Sequence, residues 1–276
     1  MLKIGVPQSP RSGGAILGVR LSYGIGLAAV CMVVGRPEKW EWGLSLILGN
    51  VVFVAAMVMC VRCGLLGANI VRLSPESRSR GEIALTFDDG PDREVTPQVL
   101  DILDRYGVKA SFFCIGERAA AHPDLLADIL RRGHSVENHS YHHRTLFAFY
   151  SASALKQEIV STQKALAAKG ARANFFRAPF GFRSPLLDGV LAGCHLHHVA
   201  WTRRGYDAVW RNADTVLLRL ARKLSAGDIL LLHDGGSAHT HNGQPVVLAV
   251  LPPLLERCAA LGLRSVSLPM AFREGP

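Results

Sequence analysis

Hydrophobic and polar positions divide this chain of 276 residues into two parts of different character. Before residue 81 the pattern is dominated by two apolar runs. Residues 16–35 contain one charged position, Arg20, and residues 43–61 contain none. At about 1.5 Å per helical residue, each run is about long enough to cross the hydrocarbon core of a bilayer. We therefore predict two transmembrane helices, near residues 16–35 and 43–61.

The residues around these runs fit a membrane anchor that comprises residues 1–80. Trp40 and Trp42 lie between the runs, where an interfacial aromatic belt is expected. We then expect a short helix over residues 65–73 and a polar linker over residues 74–81. A buried helical hairpin is one alternative, which the uncharged second run disfavours. A cleaved signal peptide over residues 1–35 is another, which the second span and the lack of a clear cleavage site disfavour.

From residue 82 onwards the hydrophobic pattern alternates between strand and helix. It predicts strands over residues 82–87, 110–115, 135–138, 174–177, 197–201, 228–233 and 264–268. It predicts helices over residues 96–106, 123–132, 152–169, 214–224 and 246–261. Repeated strand–helix units imply an α/β domain with a parallel sheet, and residues 81–276 are enough to bury a full core.

The net charge indicates which partners this chain can bind, and the cysteines indicate whether disulfides stabilise it. The formal net charge of +9 suits an anionic membrane surface or an acidic glycan. No arginine-rich run or interleaved basic–aromatic stretch is present, so nucleic acid is not an expected partner. The six cysteines are scattered and do not form a disulfide framework, and the Cys60-x-x-Cys63 pair is interpreted as incidental.

The first predicted strand of the domain ends in two adjacent carboxylates, Asp88 and Asp89, within Thr86-Phe87-Asp88-Asp89-Gly90-Pro91. In parallel α/β folds, reactive groups gather where strands end. Neighbouring side chains on an extended segment point to different sides, so one carboxylate can bind a metal while the other takes a proton. A polar turn is the alternative, because Asp-Gly-Pro is common in turns.

The third predicted strand leads to His139 and His143, which are four residues apart. On a helical turn they share one face and can hold one ion. Two imidazoles and one carboxylate leave a coordination position open for water, as a hydrolase requires. A histidine-rich surface loop is the alternative, and His142 has the wrong spacing to join the pair.

Two further strand ends carry groups that suit a hydrolase. Arg177 ends the fourth strand, where an arginine can pair with a carboxylate and keep it ionised. His233 ends the sixth strand, where a histidine can donate a proton to a leaving amine.

Together these residues resemble the polysaccharide deacetylase family, which is named after the NodB chitooligosaccharide deacetylase. The resemblance covers about residues 82–268. The segment 86–91 is similar to the family's first motif, and His139-Ser140-x-x-His143 is similar to its second. Arg177-x-Pro179-Phe180 is similar to the third motif, and Leu231-x-His233 to the fifth.

The resemblance implies a deformed (β/α) barrel and one zinc-like divalent ion. By this match the metal ligands are Asp89, His139 and His143. Asp88 is implied as the general base, with Arg177 holding it. His233 is implied as the general acid, with Asp207 tuning it.

The fourth motif departs from the family's pattern. Family members often have Asp-Trp there, whereas this chain has Asp207-Ala208, so the substrate groove near it is expected to differ. Substrate contacts are expected from Tyr141, Pro179 and Phe180.

The expected function is therefore removal of an N-acyl group, usually acetyl, from an amino sugar in a polysaccharide or glycoconjugate at a membrane. One rival is a deacetylase or deformylase of a lipid-linked sugar. A rival of another class is a carbohydrate-binding membrane protein without activity.

The basic residues around the spans predict the side of the membrane. Two spans place both ends of the chain on one side. Seven basic residues flank the spans on that side: Lys3, Arg11, Arg20, Arg62, Arg72, Arg78 and Arg80. The connecting loop has two, Arg36 and Lys39, so the positive-inside rule favours a cytoplasmic catalytic domain.

Overall fold

The computed structural model describes residues 17–273 of the chain. Its first two helices are α1 (Leu17–Gly35) and α2 (Trp40–Met59). By length and composition both could cross a membrane, with mean hydropathies of 1.8 and 2.0 over their apolar windows. Only 11% of the residues in each window are buried, so most of their apolar surface faces away from the rest of the described chain.

The two helices pack closely against each other as a hairpin. A Cβ on Gly18 of α1 would lie 2.5 Å from the sulfur of Met57 in α2, so glycine permits this close approach. The amide of Asn50 also donates to the carbonyl of Ser22 at 3.1 Å. The start of α1 and the end of α2 therefore lie together, beside the second part of the chain.

The expected short helix over residues 65–73 is wrong. This segment is extended and pairs with the second part of the chain: Ile70 bridges Val199, and Arg72 bridges Asp228. The backbone N–H of Ile70 donates to the carbonyl of His198 at 3.0 Å. Its backbone groups are thus satisfied by the domain, which removes the advantage of a local helix.

The segment 74–81 is also more ordered than the linker we expected. It contains a short helix, α3 (Pro75–Ser79), whose first turn is capped by the Ser74 hydroxyl, which accepts from the N–H of Ser77 at 3.1 Å. The Ser77 hydroxyl donates to the carbonyl of Ala271 at 2.6 Å, and the N–H of Leu73 donates to the carbonyl of Gly227 at 2.9 Å. The chain is therefore fixed to the domain for several residues before its first strand.

The domain alternates strand and helix, as the pattern predicted. The first half comprises β1 (Glu82–Asp88), α4 (Val95–Arg105), β2 (Ala110–Cys114), α5 (Gly116–Ala121), α6 (Pro123–Arg131), β3 (Ser135–Asn138) and α7 (Ala152–Ala167). The second half comprises β4 (Phe175–Phe176), α8 (Leu187–Gly193), β5 (His197–His198), β6 (Arg203–Arg204), α9 (Ala213–Ala221), β7 (Ile229–His233), α10 (Val246–Ala260), β8 (Arg264–Ser265) and α11 (Leu268–Ala271).

Strands in the second half are shorter than predicted. Regular pairing in β4 and β5 is limited to two residues each, and directly after β5 Val199 pairs with Ile70 of the incoming segment. The last strand ends at Ser265, and Ser267 is already the N-cap residue of α11.

All pairings in the sheet are parallel, in the order β5-β4-β3-β2-β1-β7-β6, and β8 also pairs with β1. The strands form a curled half-barrel of the NodB type, which confirms the predicted fold class. The register places Asp88 of β1 directly opposite His233 of β7. Two of the predicted reactive residues are therefore neighbours at one end of the sheet.

Alternation along β1 separates the core from the site. Ile83, Leu85 and Phe87 belong to the hydrophobic core beneath the outer helices. Ala84 belongs to a second core on the other side of the sheet. Since side chains alternate along a strand, Asp88 points to the same side as Ala84, towards the inside of the half-barrel.

Candidate active site

The candidate active site lies at the carboxyl ends of β1, β3, β4 and β7. Asp89 directly follows β1, with φ at 70°, a left-handed conformation that costs energy in a residue other than glycine. His143 also has a left-handed φ, of 52°. Such strained residues cluster at functional sites, which agrees with the predicted role of this region.

Three donor groups, those of Asp89, His139 and His143, lie within 4.8 Å of one another. Asp89 Oδ1 is 3.3 Å from His139 Nε2 and 3.2 Å from His143 Nε2. Ligands about 2.1 Å from one tetrahedral ion are about 3.4 Å apart, so these separations fit a shared metal ion. Asp89 Oδ1 is also buried without a hydrogen-bond partner among the described residues, which suits a ligand atom.

His139 is oriented by the backbone. Its Nδ1 lies 2.9 Å from the carbonyl oxygen of Arg177, so Nδ1–H donates there and Nε2 faces Asp89. Metal-binding histidines usually have such a partner, which fixes the tautomer and the ring. The set of two imidazoles and one carboxylate thus fits a divalent ion such as zinc.

The charges in this cluster affect one another. Burial raises the pKa of Asp89, but His139 and His143 outweigh burial and hold it well below its usual value. Burial and the neighbouring His139 lower the pKa of His143 to about 4. His143 is therefore neutral near pH 7, with a lone pair available to a metal.

Arg177 is fully buried and binds Asp88. Its Nη1 donates to Asp88 Oδ1 at 2.6 Å and to the hydroxyl of Thr86 at 2.9 Å. Its remaining donors reach the carbonyls of Val199 and Ala200 at 3.2 and 3.0 Å. The other carboxylate oxygen, Asp88 Oδ2, lies 3.8 Å from His139 Nε2. Arg177 thus holds one oxygen of Asp88 and leaves the other beside the candidate metal ligands.

His233 and Asp207 form a second pair on the neighbouring strand. Asp207 Oδ1 is 2.9 Å from His233 Nδ1, and its Oδ2 accepts from the backbone N–H of His233 at 2.7 Å. Burial lowers the pKa of His233, but the carboxylate of Asp207 outweighs it, and the pKa is raised to about 9. The imidazole is therefore protonated at neutral pH.

The surroundings of Asp207 differ from the family's common pattern. Tyr206 stacks on Trp210, with ring centroids 5.5 Å apart. The guanidinium of Arg219 lies 4.9 and 4.7 Å from these two rings. An indole is thus present near Asp207, but it comes from a position three residues later in the sequence.

The residues predicted to contact substrate lie in different surroundings. Phe180 is 43% exposed, and its ring is 4.8 Å from that of His143. Pro179 is buried just before it. Tyr141 lines a groove of about 520 Å³ between α5 and α7, together with His142. Phe180 alone of the three is exposed beside a candidate metal ligand, and contact of all three with substrate stays a prediction.

Sequence reasoning missed Glu158 on α7. Its carboxylate accepts from the backbone N–H groups of Tyr141 and His142, both at 2.9 Å, and binds His142 Nδ1 at 2.7 Å. It therefore fixes the loop between the two candidate histidine ligands. A signal was present, because Glu158 falls in the apolar stripe of a helix, where a buried charge requires a partner.

Asp234 was also missed, although it follows His233 directly. It is fully buried, and the hydroxyl of Thr96 donates to its Oδ2 at 2.6 Å. Burial raises its pKa to about 7, and the nearby charges of Asp89 and Asp88 act in the same direction. The sequence did carry a signal for Asp234, because an acidic residue directly after a buried strand requires a partner.

The chain is similar in sequence to known deacetylases. The polysaccharide deacetylase family model matches residues 76–197. A peptidoglycan-N-acetylglucosamine deacetylase of Bacillus cereus is 32% identical over 194 residues, covering 69% of this chain and 88% of that protein. A chitooligosaccharide deacetylase of Sinorhizobium fredii is 35% identical over 162 residues, covering 55% of this chain and 72% of that protein.

A solved structure of a family 4 carbohydrate esterase from Streptomyces lividans, in complex with acetate, has a TM-score of 0.62 and 31% identity. The match covers 71% of this chain and 97% of that one. The fold and these matches define a hydrolase that acts on amide bonds. The chain belongs to the polysaccharide deacetylase family, which confirms the resemblance seen in the sequence.

Proposed function

We propose that this protein removes an N-acyl group, in the simplest case acetyl, from an amino sugar in a polysaccharide or glycoconjugate, with the aid of one divalent metal ion. The observation that carries the proposal is the cluster of metal-ligating atoms from Asp89, His139 and His143, beside two proton-transfer candidates. The relatives act on N-acetylglucosamine units of peptidoglycan or on chitooligosaccharides, by their names. An N-acetylated amino sugar is the substrate class they share.

Zinc is the ion we propose, because it is commonly bound by histidine nitrogens and carboxylate oxygens with an open position for water. When bound, it supplies the Lewis acidity that polarises the amide carbonyl and favours loss of a proton from water. Asp89, His139 and His143 would hold the ion, and Asp88 Oδ2 lies beside them, 3.8 Å from His139 Nε2.

Asp88 is the proposed general base. Its free oxygen, Oδ2, accepts a proton from the attacking water while the oxygen of that water bonds to the amide carbon. Arg177 keeps the carboxylate in place through Oδ1, at 2.6 Å. General bases of this kind contribute about 10²–10⁴-fold to the rate.

His233 is the proposed general acid. Its protonated ring gives a proton to the sugar nitrogen as the carbon–nitrogen bond breaks, so the products are a free amine and a carboxylate. Asp207 binds Nδ1 and therefore directs the other ring nitrogen towards the substrate. The pKa of about 9 keeps the ring ready to donate at neutral pH.

The rival class, a binding protein without activity, has less support. Such a protein would be expected to lack a ligand or the base. Here Asp88, Asp89 and both histidines are present and are oriented by buried partners, Arg177 among them.

The test of the function has a purified and a cellular arm. Zinc-loaded protein should release acetate from chitooligosaccharides or peptidoglycan fragments, and Asp88→Asn should not. Mass spectrometry of envelope glycans and lipid-linked sugars, with and without the protein, should show a difference of one acyl group. No acyl change in either arm would contradict the proposal.

We also propose that residues 1–80 anchor the protein in a membrane through α1 and α2, and that residues 81–276 form the catalytic domain. The length and apolar composition of the two helices support this. Basic residues favour a cytoplasmic domain. Alkaline phosphatase or a fluorescent protein fused to Pro276 tests the side. An active phosphatase with a dark fluorescent fusion would place the domain outside and overturn the cytoplasmic assignment.

A further inference from the structure

One loop connects the candidate metal site to the end of the second apolar helix. This rim loop comprises residues 178–186. Its Phe180 ring lies 4.8 Å from the ring of His143. A Cβ on the next residue, Gly181, would lie 3.1 Å from both methyl groups of Val61, two residues after α2 ends. The mouth of the site and the end of the predicted span are thus separated by a single loop.

This arrangement is held by buried hydrogen bonds. Arg183, 1% exposed, donates to four backbone carbonyls at 3.1–3.3 Å, those of Cys63, Leu66, Gly67 and Ala68. The N–H of Arg183 also donates to the carbonyl of Val58, within α2, at 3.4 Å. Arg62 reaches the carbonyl of Thr202 at 2.6 Å. The end of α2 is therefore fixed against the rim of the site.

The same rim exposes large apolar side chains. Phe149 is 80% exposed and Leu146 is 63% exposed, on the loop that follows His143. Leu186, on the rim loop, is 47% exposed. The two loops share one hydrophobic cluster, to which Phe147 and Ala178 belong. Single exposed apolar residues are ordinary, but a group beside an apolar helix that could span a membrane indicates contact with lipid.

An arginine without a carboxylate partner lies beside this rim. Arg203 is bound to Asp228, whereas Arg204 makes no salt bridge among residues 17–273. The Arg204 guanidinium lies between the rings of Trp201 and Tyr206, at 5.3 and 4.7 Å. Trp201 in turn packs against Val61. A free guanidinium next to the end of a span suits an anionic group at the membrane surface.

We propose that the mouth of the active site lies against the bilayer surface, and that its substrate is an amino sugar joined through a phosphate to a lipid in that bilayer. The position follows from the fixed contact between the end of α2 and the rim loop. Arg204 binds the phosphate, while the rim side chains Leu146, Phe149 and Leu186 enter the lipid interface. The proposed substrate rests on the deacetylase function proposed above. The proposed position of the site against the bilayer does not.

Spin labels test the position without an activity assay. Full-length, zinc-loaded protein in nanodiscs carries a label at Phe149→Cys, in a background where the exposed Cys31 and Cys60 are serine. Power saturation should show a site accessible to oxygen and protected from a water-soluble nickel complex. Leu218→Cys, on α9 and 70% exposed, is the matched control and should face water. Equal exposure of both labels to nickel would overturn the position.

Three substrates test the second half: N-acetylglucosamine linked to a lipid through phosphate, the same sugar on an uncharged ether lipid, and a soluble chitooligosaccharide. The phosphate-linked substrate should have a kcat/KM at least about 10-fold above both, the effect of one charge-assisted hydrogen bond. The Arg204→Gln variant should no longer prefer the phosphate-linked substrate over the ether lipid. The Arg257→Gln variant, changed at an exposed position on α10, is the control and should keep this preference.

Equal turnover of all three substrates, or a preference that survives Arg204→Gln, would overturn the assignment of the phosphate-linked substrate. Turnover of the chitooligosaccharide alone would overturn it while leaving the deacetylase function intact. No turnover of any substrate would contradict both the function and the substrate class. The spin-label result decides the position in every case.

Discussion

The site contains two imidazole–carboxylate groups that differ in how the charge is shared. In the metal-ligand cluster, one oxygen of Asp89 faces two imidazoles, at 3.3 and 3.2 Å. In the second group, both oxygens of Asp207 bind the single residue His233, at 2.9 and 2.7 Å. Burial and the neighbouring His139 lower the pKa of His143 to about 4, whereas the carboxylate of Asp207 outweighs burial and raises the pKa of His233 to about 9.

This difference shows how one pair of residue types serves two kinds of chemistry. Burial and the nearby imidazole of His139 disfavour a proton on His143, so a nitrogen lone pair is left for a metal. One imidazole with a carboxylate of its own keeps its proton and can act as an acid. Environments that drive pKa values apart in this way separate the roles in many active sites.

Removing both candidate ligand imidazoles should have the largest effect. His139→Ala/His143→Ala should lose the bound metal and all measurable activity, because one carboxylate alone cannot hold the ion. Elemental analysis should give about one metal per wild-type chain and none in the variant. His195→Ala/His241→Ala, at exposed positions, is the control and should keep the metal. Full metal content in the first variant would refute the ligand assignment.

Asp88→Asn should separate the base from the ligands. The variant should bind metal normally, since Asp88 is not among the three ligand atoms. Its kcat should fall by about 10²–10⁴-fold, the usual scale for loss of a general base. Activity near that of the wild type would assign the base elsewhere, and loss of metal would make Asp88 a ligand. Asp124→Asn, at an exposed position, should match the wild type.

Asp207→Asn should alter the pH dependence. A general acid works while it is protonated, so activity is lost as the pH rises through its pKa. Since Asp207 raises the pKa of His233 to about 9, removal of its charge should move the alkaline limb of the kcat/KM profile to lower pH. A shift of about 1–2 pH units is expected.

The controls for this shift are Asp214→Asn, at an exposed carboxylate, and His233→Ala. Asp214→Asn should leave the limb in place, and His233→Ala should remove it along with about 10²–10⁴-fold of the rate. If the alkaline limb stays unchanged in Asp207→Asn, the group that titrates in this limb is not His233.

The smallest effect is expected from Glu158→Gln. Glu158 accepts two backbone N–H groups between His139 and His143, so its charge stabilises the ligand loop rather than the reaction. Affinity for the metal should fall by about 10-fold, with kcat of the loaded enzyme nearly unchanged. Competition with a zinc chelator measures this, and Lys156→Gln on the exposed side of α7 is the control. A fall in kcat at saturating metal would give Glu158 a more direct role.

Local pattern was sufficient for much of the fold. The short apolar run of β1 and the apolar stripes of the helices predicted the strand–helix order. These features depend on neighbours a few residues apart, so the sequence carries them directly. The helical turn expected for His139 and His143 is wrong, because the segment after β3 is a loop with left-handed φ values of 61° at Ser140 and 52° at His143. The pairing of Asp88 with Arg177 was implied by the family's motifs, which record contacts over long distances.

Segment 65–81 could not be predicted in the same way. Its sequence suggested a helix and then a linker, but its backbone bonds with His198 and Gly227, and the Ser77 hydroxyl's bond with Ala271, fix it against the domain. Those partners lie more than 100 residues away in the chain. No local preference encodes them, because the free energy comes from groups that only the folded domain brings near.

Arg177 and Arg183 show which contacts the sequence can predict and which it cannot. Both are buried and lie six residues apart, but their guanidinium groups bind different kinds of partner. Arg177 binds a carboxylate, and its place at a strand end predicted such a partner. Arg183 binds only carbonyls of the segment after α2, and nothing in its neighbourhood marks it. The sequence determined which reactive residue types the candidate site contains, whereas the tertiary structure decided its place beside the two apolar helices, because backbone carbonyls are the same in every residue.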